Sequence, residues 1–540
     1  MDTTRSAAQP ATRPRPTVPD LLAAVYLVDV AAPGMEGLAL WLAGAGADVT
    51  GSVPESEQHS PIVAALRQAG VRVVVGSDAG HLRTDHTAVV WSGVTVGSHP
   101  ELDRARLLRL PILGRALALK AITLQAGPAV VAVAGSHSTA TAAAALAAVL
   151  DDGETSWVLT APAREGAAGH ASGGRLVVDF CPDTATHEAA PPAGWQQRPA
   201  SPVVRGEPGF AAALILSTDA NAPHYEDAIE GLNAAERLAR RAETVVLPTW
   251  DAGVGILRER LTCQPGPQVV TVGLNPDDTV WIMALLWTGD DYRATLRYQE
   301  RNHTVVLPVV GRHHALAACA AVATALVLGE DPKAVVERAG RFAGVERSLA
   351  LLGTQCGVTV VDSRARHPRE VAADVMAARM LTEGEVVVVL EPDGIARTVA
   401  HGTALGTALG DADRAVLLPV STPLASYHGH DPLDAVEQAA LHALGQGTVN
   451  RIRSGPCEPA PEQRLYETTA QGDLVLVIGT GQAARLGPRL LFHLGAPTHR
   501  SRTSCDPPLP TWWRTSPSPP VSGPTSPALF PAALTLAPPA

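Results

Sequence analysis

Continuous apolar runs, each closed by turn residues and followed by a helical stretch, recur along most of this 540-residue chain. A strand covered on both faces by helices has no solvent side to keep polar. It therefore reads as an unbroken Val/Ile/Leu segment rather than an alternation, and parallel sheets are the architecture that produces such segments. The first series holds AVYLVDV, ADVTGS, VRVVVG and AVVWSGV, with GMEGLALWLAGAG and SPIVAALRQAG between them. The second opens on AVVAVAG, runs at once into the alanine-rich TATAAAALAAVL, and continues through RLVVDF, AALILST, ETVVLP and QVVTVG. After GVERSLALLG the third runs GVTVVDS, EVVVVLEP, RAVLLPV and DLVLVIG. The expected fold class is α/β with three sheets, which agrees with the three or four domains that the length suggests at roughly 150 residues each. Aromatic residues make up only 4% of the chain, so Ala, Val and Leu must fill the cores.

The sequence divides into a disordered arm (1–20), three α/β domains (21–119, 120–342 and 343–496) and a Pro/Ser-rich disordered tail (497–540). The net charge of −11, from 42 basic and 53 acidic residues, argues against a nucleic-acid partner. No apolar run reaches about 18 uncharged residues, so no membrane span is expected, and the polar start carries no export signal. The six cysteines lack CxxC spacing, which suits reduced thiols in the cytoplasm rather than a disulfide frame or a zinc site. Only two lysines occur, Lys120 and Lys333, so chemistry that needs a lysine has two places to look.

Seven collinear segments carry a resemblance to a known family: GADVTGS, AGVRVVVGSDAGHL, HPEL, VAVAGSHSTAT, GRHHALAACAAVATALVLG, GVTVVDSRARHPREVAA and GDLVLVIGTG. In order and spacing they resemble the Mur ligases, in particular the branch that joins L-alanine to UDP-N-acetylmuramate. The resemblance implies a Rossmann-like N-terminal domain for the UDP-sugar, a central P-loop-type ATPase domain and a Rossmann-like C-terminal domain. It also implies ATP and Mg2+ as cofactors, with an acyl phosphate attacked by the amine of an amino acid.

The residues that carry that chemistry depart from the family pattern. Where the family reads GTHGKTT, this chain reads Gly135, Ser136, His137, Ser138, Thr139, Ala140 and Thr141, so the lysine is Thr139 and a metal-binding threonine is Ala140. Phosphoryl transfer relies on positioned positive charge around the phosphates, so each replacement removes a support of the transition state. The family's acidic pair after a strand becomes Asp179 to Asp183 with Pro182 at the metal-binding position, and Asp179 or Asp183 are the available substitutes. Its NxxxDH becomes a stretch with Asn221 and Ala222 at the last two positions and His224 two residues on. The adenine-side asparagine is Ala317, and no metal ligand is assigned. Arg312, His313, Arg347, Asp362, His367 and Arg397 remain as candidate nucleotide or substrate contacts, with Asp362 placed to accept a ribose hydroxyl. In the UDP-sugar loop Gly34, Met35 and Gly37 survive, while Asp29 and Pro33 disfavour a diphosphate by adding charge and removing a backbone donor.

Two readings follow. One is an active ATP-dependent amide ligase using UDP-N-acetylmuramate and L-alanine through substitute residues. The other, favoured by the charge placement, is a pseudoenzyme that binds a ligand weakly or docks on a protein partner such as a cell-wall enzyme. A nicotinamide-dependent oxidoreductase is excluded, because the opening lacks GxGxxG with an acidic residue at the expected distance.

Overall fold

The structure, a computed structural model, describes residues 16–92, 99–180, 206–218, 228–421, 429–452 and 460–495. Residues 1–15 of the expected arm, the tail 497–540, and Pro182, Asp183, Asn221, Ala222 and His224 lie outside the described residues.

Three sheets account for the strands among the described residues. The N-terminal sheet is fully parallel, in the spatial order Arg72–Val75, Asp48–Val53, Ala24–Val28, Ala88–Trp91, Ile112–Gly114. The central sheet has ten strands: Arg301–Leu307, Tyr292–Tyr298, Val280–Trp287, Gln268–Gly273, Ala242–Pro248, Phe210–Ile215, Val130–Ala134, Leu176–Phe180, Ser156–Val158 and Gly169–His170. Its middle is parallel, and the hairpins at 280–307 extend it as antiparallel strands. The C-terminal sheet runs Ala350–Gln355, Val358–Ser363, Leu474–Ile478, Val386–Leu390, Arg414–Leu417, Val449–Arg451, with only the first pair antiparallel.

The continuous apolar segments became strands buried along their whole length, as in Val130–Ala134, Val386–Leu390 and Leu474–Ile478. With few aromatic side chains, the core is closed by bringing backbones close together. The helix Thr139–Leu150 is buried at nearly every position because its alanines pack against the equally alanine-rich helix Arg312–Val327. The series through QVVTVG correctly suggested parallel strands but gave no hint of the antiparallel extension. Two of those strands carry the relevant signal: Tyr292, Ala294 and Leu296 are buried while Arg293 is exposed, and Val305 and Leu307 are buried while Thr304 and Val306 are exposed.

The N-terminal and central sheets meet through backbone contact. On the helix Met35–Ala45, a Cβ added to Gly37 would lie 2.3 Å from the Leu159 carbonyl oxygen and 2.7 Å from that of Ala168. Arg115, on the helix Arg115–Ala126, is buried and spans the same seam: its Nε donates to the Gly34 carbonyl at 2.8 Å and its Nη2 to the Asp179 carbonyl at 3.5 Å. Gly37→Ala is expected to push this seam apart at a cost of about 1–3 kcal/mol, the usual range for overpacking. A thermal melt unchanged from the parent would contradict that reading of the contact.

Candidate functional site

The strand Val130–Ala134 ends in the turn Gly135 to Ser138, from which the helix Thr139–Leu150 starts. A helix N-terminus presents N–H groups without intrahelical partners together with the positive end of the helix dipole, so such a turn is a ready anion site. Ser136 N–H donates to the Ser217 carbonyl at 3.2 Å, and His137 N–H donates to Ser217 Oγ at 3.1 Å. Ser138 has φ of 62°, the left-handed conformation that a glycine adopts freely and that costs an L-residue roughly 1–2 kcal/mol.

A carboxylate of the C-terminal sheet's first helix fills the anion position. Glu370, in the opening turn of the helix Pro368–Arg379, accepts the Ser138 N–H at 2.6 Å. Its neighbour Arg369 reaches from the same turn to Asp251, with Nη1 to Oδ2 at 2.7 Å. Asp251 in turn caps the helix Ala252–Thr262 by accepting Val254 N–H at 3.1 Å. His137 stacks on His367 with ring centroids 4.7 Å apart, and His401 meets His367 edge-on at 5.3 Å. These contacts close the central sheet against the C-terminal one around a narrow cleft of about 80 Å³.

Burial pushes the His137 imidazole down to about 4. Burial opposes ionisation of Glu370, but His137, the Ser138 N–H, His367 and Arg366 outweigh it and hold that carboxyl below its ordinary range. The cleft's cations are arginines: Arg364, Arg366 and Arg397 line it, with Arg366 and Arg397 each 3.5 Å from Asp393. Neither lysine lines the cleft; Lys120 pairs with Glu207 at 3.3 Å and Lys333 is exposed in the first turn of Pro332–Ala339.

The cleft gathers Ser136 to Thr141, His313, His367 and Arg397 from the candidates named above. It does not gather the others. Arg312 is exposed at the start of its helix, outside the cleft lining. Arg347 and Asp362 take each other as partners, with Nε to Oδ2 at 2.7 Å and Nη2 to Oδ1 at 3.1 Å, so the carboxylate expected to meet a ribose hydroxyl is already bound by a guanidinium. Asp179 is fully buried, hydrogen-bonded to the Thr160 hydroxyl and N–H, and its carboxyl is raised by burial, so it serves the interior rather than a solvated metal. Gly34 and Gly37 belong to the seam with the central sheet and Met35 is wholly buried. Asp29 N–H donates to Ser52 Oγ at 3.3 Å, and burial followed by the charge of Glu57 pushes the Asp29 carboxyl up.

Sequence reasoning missed two carboxylates. Glu101, inside the HPEL segment, is wholly buried and accepts hydrogen bonds from Tyr26 at 2.6 Å and Ser52 at 2.8 Å. Glu391 accepts the N–H groups of Gly481, Gln482 and Ala483 at 2.8–2.9 Å, where the GTG turn opens the helix Ala483–Gly495. No local signal ties Glu391 to the turn it fills, which lies 90 positions further along the chain.

Magnesium and a triphosphate do not fit the turn as it stands. The N–H groups of Ser136, His137 and Ser138 all donate within the protein, a carboxylate occupies the place of a phosphate, and Ala140 offers no oxygen to a cation.

Residues 25–126 match the Mur ligase family, catalytic domain. Over 486 residues the chain is 30% identical to a UDP-N-acetylmuramate–L-alanine ligase of Streptomyces griseus, covering 89% of this chain and 99% of that protein. It is 32% identical over 478 residues to the ligase of the same name from Kineococcus radiotolerans, covering 87% and 96%. A crystal structure of the UDP-N-acetylmuramate–alanine ligase of Thermotoga maritima superposes with a TM-score of 0.66 at 20% identity, covering 87% of this chain and 98% of that one.

The depressed His137 gives the closed cleft a pH dependence of definite sign. Below about pH 6.5 the unfolded chain takes up a proton that the folded chain refuses until about 4, so stability is lost as the pH falls through that window. Glu370, also held below its ordinary value, adds a loss at the acid end as its carboxylate is protonated. A fall from 6.5 to about 4 corresponds to roughly 3 kcal/mol. His137→Asn should therefore show a visibly shallower fall in melting temperature between pH 6.5 and 4.5, and an unchanged slope would refute the assignment.

Proposed function

This chain belongs to the Mur ligase family, and from that premise we propose that it is a non-catalytic member, a pseudoenzyme, related to the L-alanine ligases of peptidoglycan synthesis. Its three sheets correspond to the sugar-nucleotide, ATPase and C-terminal domains of the family, divided near residues 119 and 342. The observation that carries the reading is the Glu370 carboxylate on the Ser138 N–H of a phosphate-type turn whose lysine position is Thr139. Transition-state charge in phosphoryl transfer is stabilised by preorganised cations and N–H donors, and losing even one donor costs two to three orders of magnitude in comparable sites. Here a lysine and a metal-binding hydroxyl are replaced, and the Ser138 donor faces a fixed negative charge. Such a protein would keep the fold as a platform for weak ligand binding or for docking on a cell-wall enzyme.

The near-complete coverage of the Streptomyces ligase favours a second reading, an active ligase of UDP-N-acetylmuramate and L-alanine. The cleft arginines, Arg364, Arg366 and Arg397, are the groups that would have to replace the missing charge.

Incubating the protein with ATP, Mg2+, UDP-N-acetylmuramate and L-alanine and measuring phosphate release separates the two. No turnover above background is expected; rates of roughly 1–1000 per second, those of ordinary enzymes, would overturn the proposal. Restoring Ser138→Gly, Thr139→Lys and Ala140→Thr together, with Glu370→Gln, should raise Mg-ATP affinity at least tenfold by equilibrium binding. Failure of that rescue would place the loss of nucleotide binding outside this turn.

A further inference from the structure

We propose that His313, His314 and Asp374 form a binding site for a first-row divalent transition metal of the zinc class, linking the central and C-terminal sheets. The two histidines open the helix Arg312–Val327, whereas Asp374 lies on the helix Pro368–Arg379. One ligand atom from each of the three lies within 4.8 Å of the others.

Four features distinguish this group from a chance cluster of polar residues. Asp374 is buried, its side chain only 3% exposed, and its Oδ1 has no hydrogen-bond partner. Both ring nitrogens of His313 are likewise buried without a hydrogen bond, although Nε2 lies 3.1 Å from Asp374 Oδ1. Leaving such groups unsatisfied costs about 1–3 kcal/mol each, a cost that a shared cation would remove. Secondly, the outer contacts orient the ligands. His314 Nδ1 lies 2.8 Å from the Val310 carbonyl oxygen, which can only accept, so Nδ1 carries the proton and Nε2 is left with its lone pair. Asp374 Oδ2 is held by the Ser363 hydroxyl, whose oxygen accepts the Ala365 N–H at 3.0 Å.

Thirdly, the spacing suits a small ion. Tetrahedral coordination with bonds of about 2.1 Å holds ligand atoms roughly 3.4 Å apart. The His313–Asp374 pair is already near that separation at 3.1 Å, and the three ligand atoms lie within 4.8 Å of one another. Fourthly, the donor set selects the metal: two imidazoles and one carboxylate suit zinc, iron, cobalt or nickel, whereas magnesium prefers oxygen ligands and water. Three protein ligands leave a coordination position, and all three residues line the cleft, so that position faces it. The site shares its cleft with the phosphate turn but draws on none of that turn's residues.

The test uses the full chain, stripped with a chelator and dialysed. Titration with zinc chloride by calorimetry should show one ion bound per chain at micromolar affinity or tighter, and magnesium chloride should show no comparable binding. Cobalt(II) loading should give the intense visible absorption of a low-coordinate site. Asp374→Asn, nearly isosteric, and His314→Gln should each weaken zinc binding at least tenfold. They should also abolish the zinc-dependent rise in melting temperature, with circular dichroism confirming that both variants fold. Should His314→Gln fail to fold, Asp374→Asn and His313→Gln carry the same comparison. The proposal fails if the wild type binds no stoichiometric zinc, if magnesium binds equally well, or if the folded variants bind zinc as tightly as the wild type.

Discussion

The Glu370 carboxylate accepts the Ser138 N–H at 2.6 Å, and the shape of the cleft follows from that bond. A glycine-bearing turn leading into a helix exposes several donors at the positive end of a dipole, and closing a domain over them without an acceptor would bury unsatisfied groups. In this protein the acceptor comes from the closing sheet itself. The same arrangement occurs at the other end of the chain, where Glu391 takes three N–H groups of the GTG turn. Both sites have the form of phosphate-binding turns, and both are neutralised from within.

Packing between the elements also depends on small residues. Alanine-rich helices and close-packed glycines allow backbones to approach until carbonyl oxygens lie where a Cβ would stand, as at Gly37 on the first seam and, between two helices of the C-terminal unit, at Gly406 beside the Val436 carbonyl. A core with few aromatic side chains gains burial through close approach rather than through large side chains, and such contacts tolerate little added volume. The buried Arg115 completes the first seam by donating to carbonyl oxygens on both sides of it. Arginine serves here where a lysine could not, since its planar fork reaches two acceptors at once.

The fold was largely legible because its signal is local. A run such as VVVVL at 386–390 states its own burial on both faces, and seven collinear segments fixed the order of the three sheets. The antiparallel hairpins at 280–307 were passed over because their first strand, Val280–Trp287, carries no clean alternation, although the two that follow do. The site was legible only in part. Replacement of a lysine by Thr139 can be read from spacing, whereas the partner that takes over the turn lies 232 positions away and becomes visible only once the sheets close. Arg347 and Asp362 each looked available to a ligand for the same reason: spacing shows which groups a chain possesses, but not that two of them satisfy each other. His313 and His314 are neighbours in sequence, yet nothing local connects them with Asp374.

An intramolecular carboxylate is a demanding competitor. A group tethered on a helix and aimed at its donor acts at an effective concentration set by geometry rather than by solution, commonly millimolar for flexible links and far higher for rigid ones. A phosphate ligand would have to displace Glu370, and its apparent affinity would be reduced by the fraction of molecules in which the carboxylate has already left. Leaving is opposed on two sides: the Arg369–Asp251 pair holds the same helical turn, and the His137–His367 stack packs beside it. Nucleotide exclusion therefore arises from the closed arrangement as a whole and not only from the absent lysine, which is why restoring the turn's sequence and removing the carboxylate's charge act on different terms of the same equilibrium.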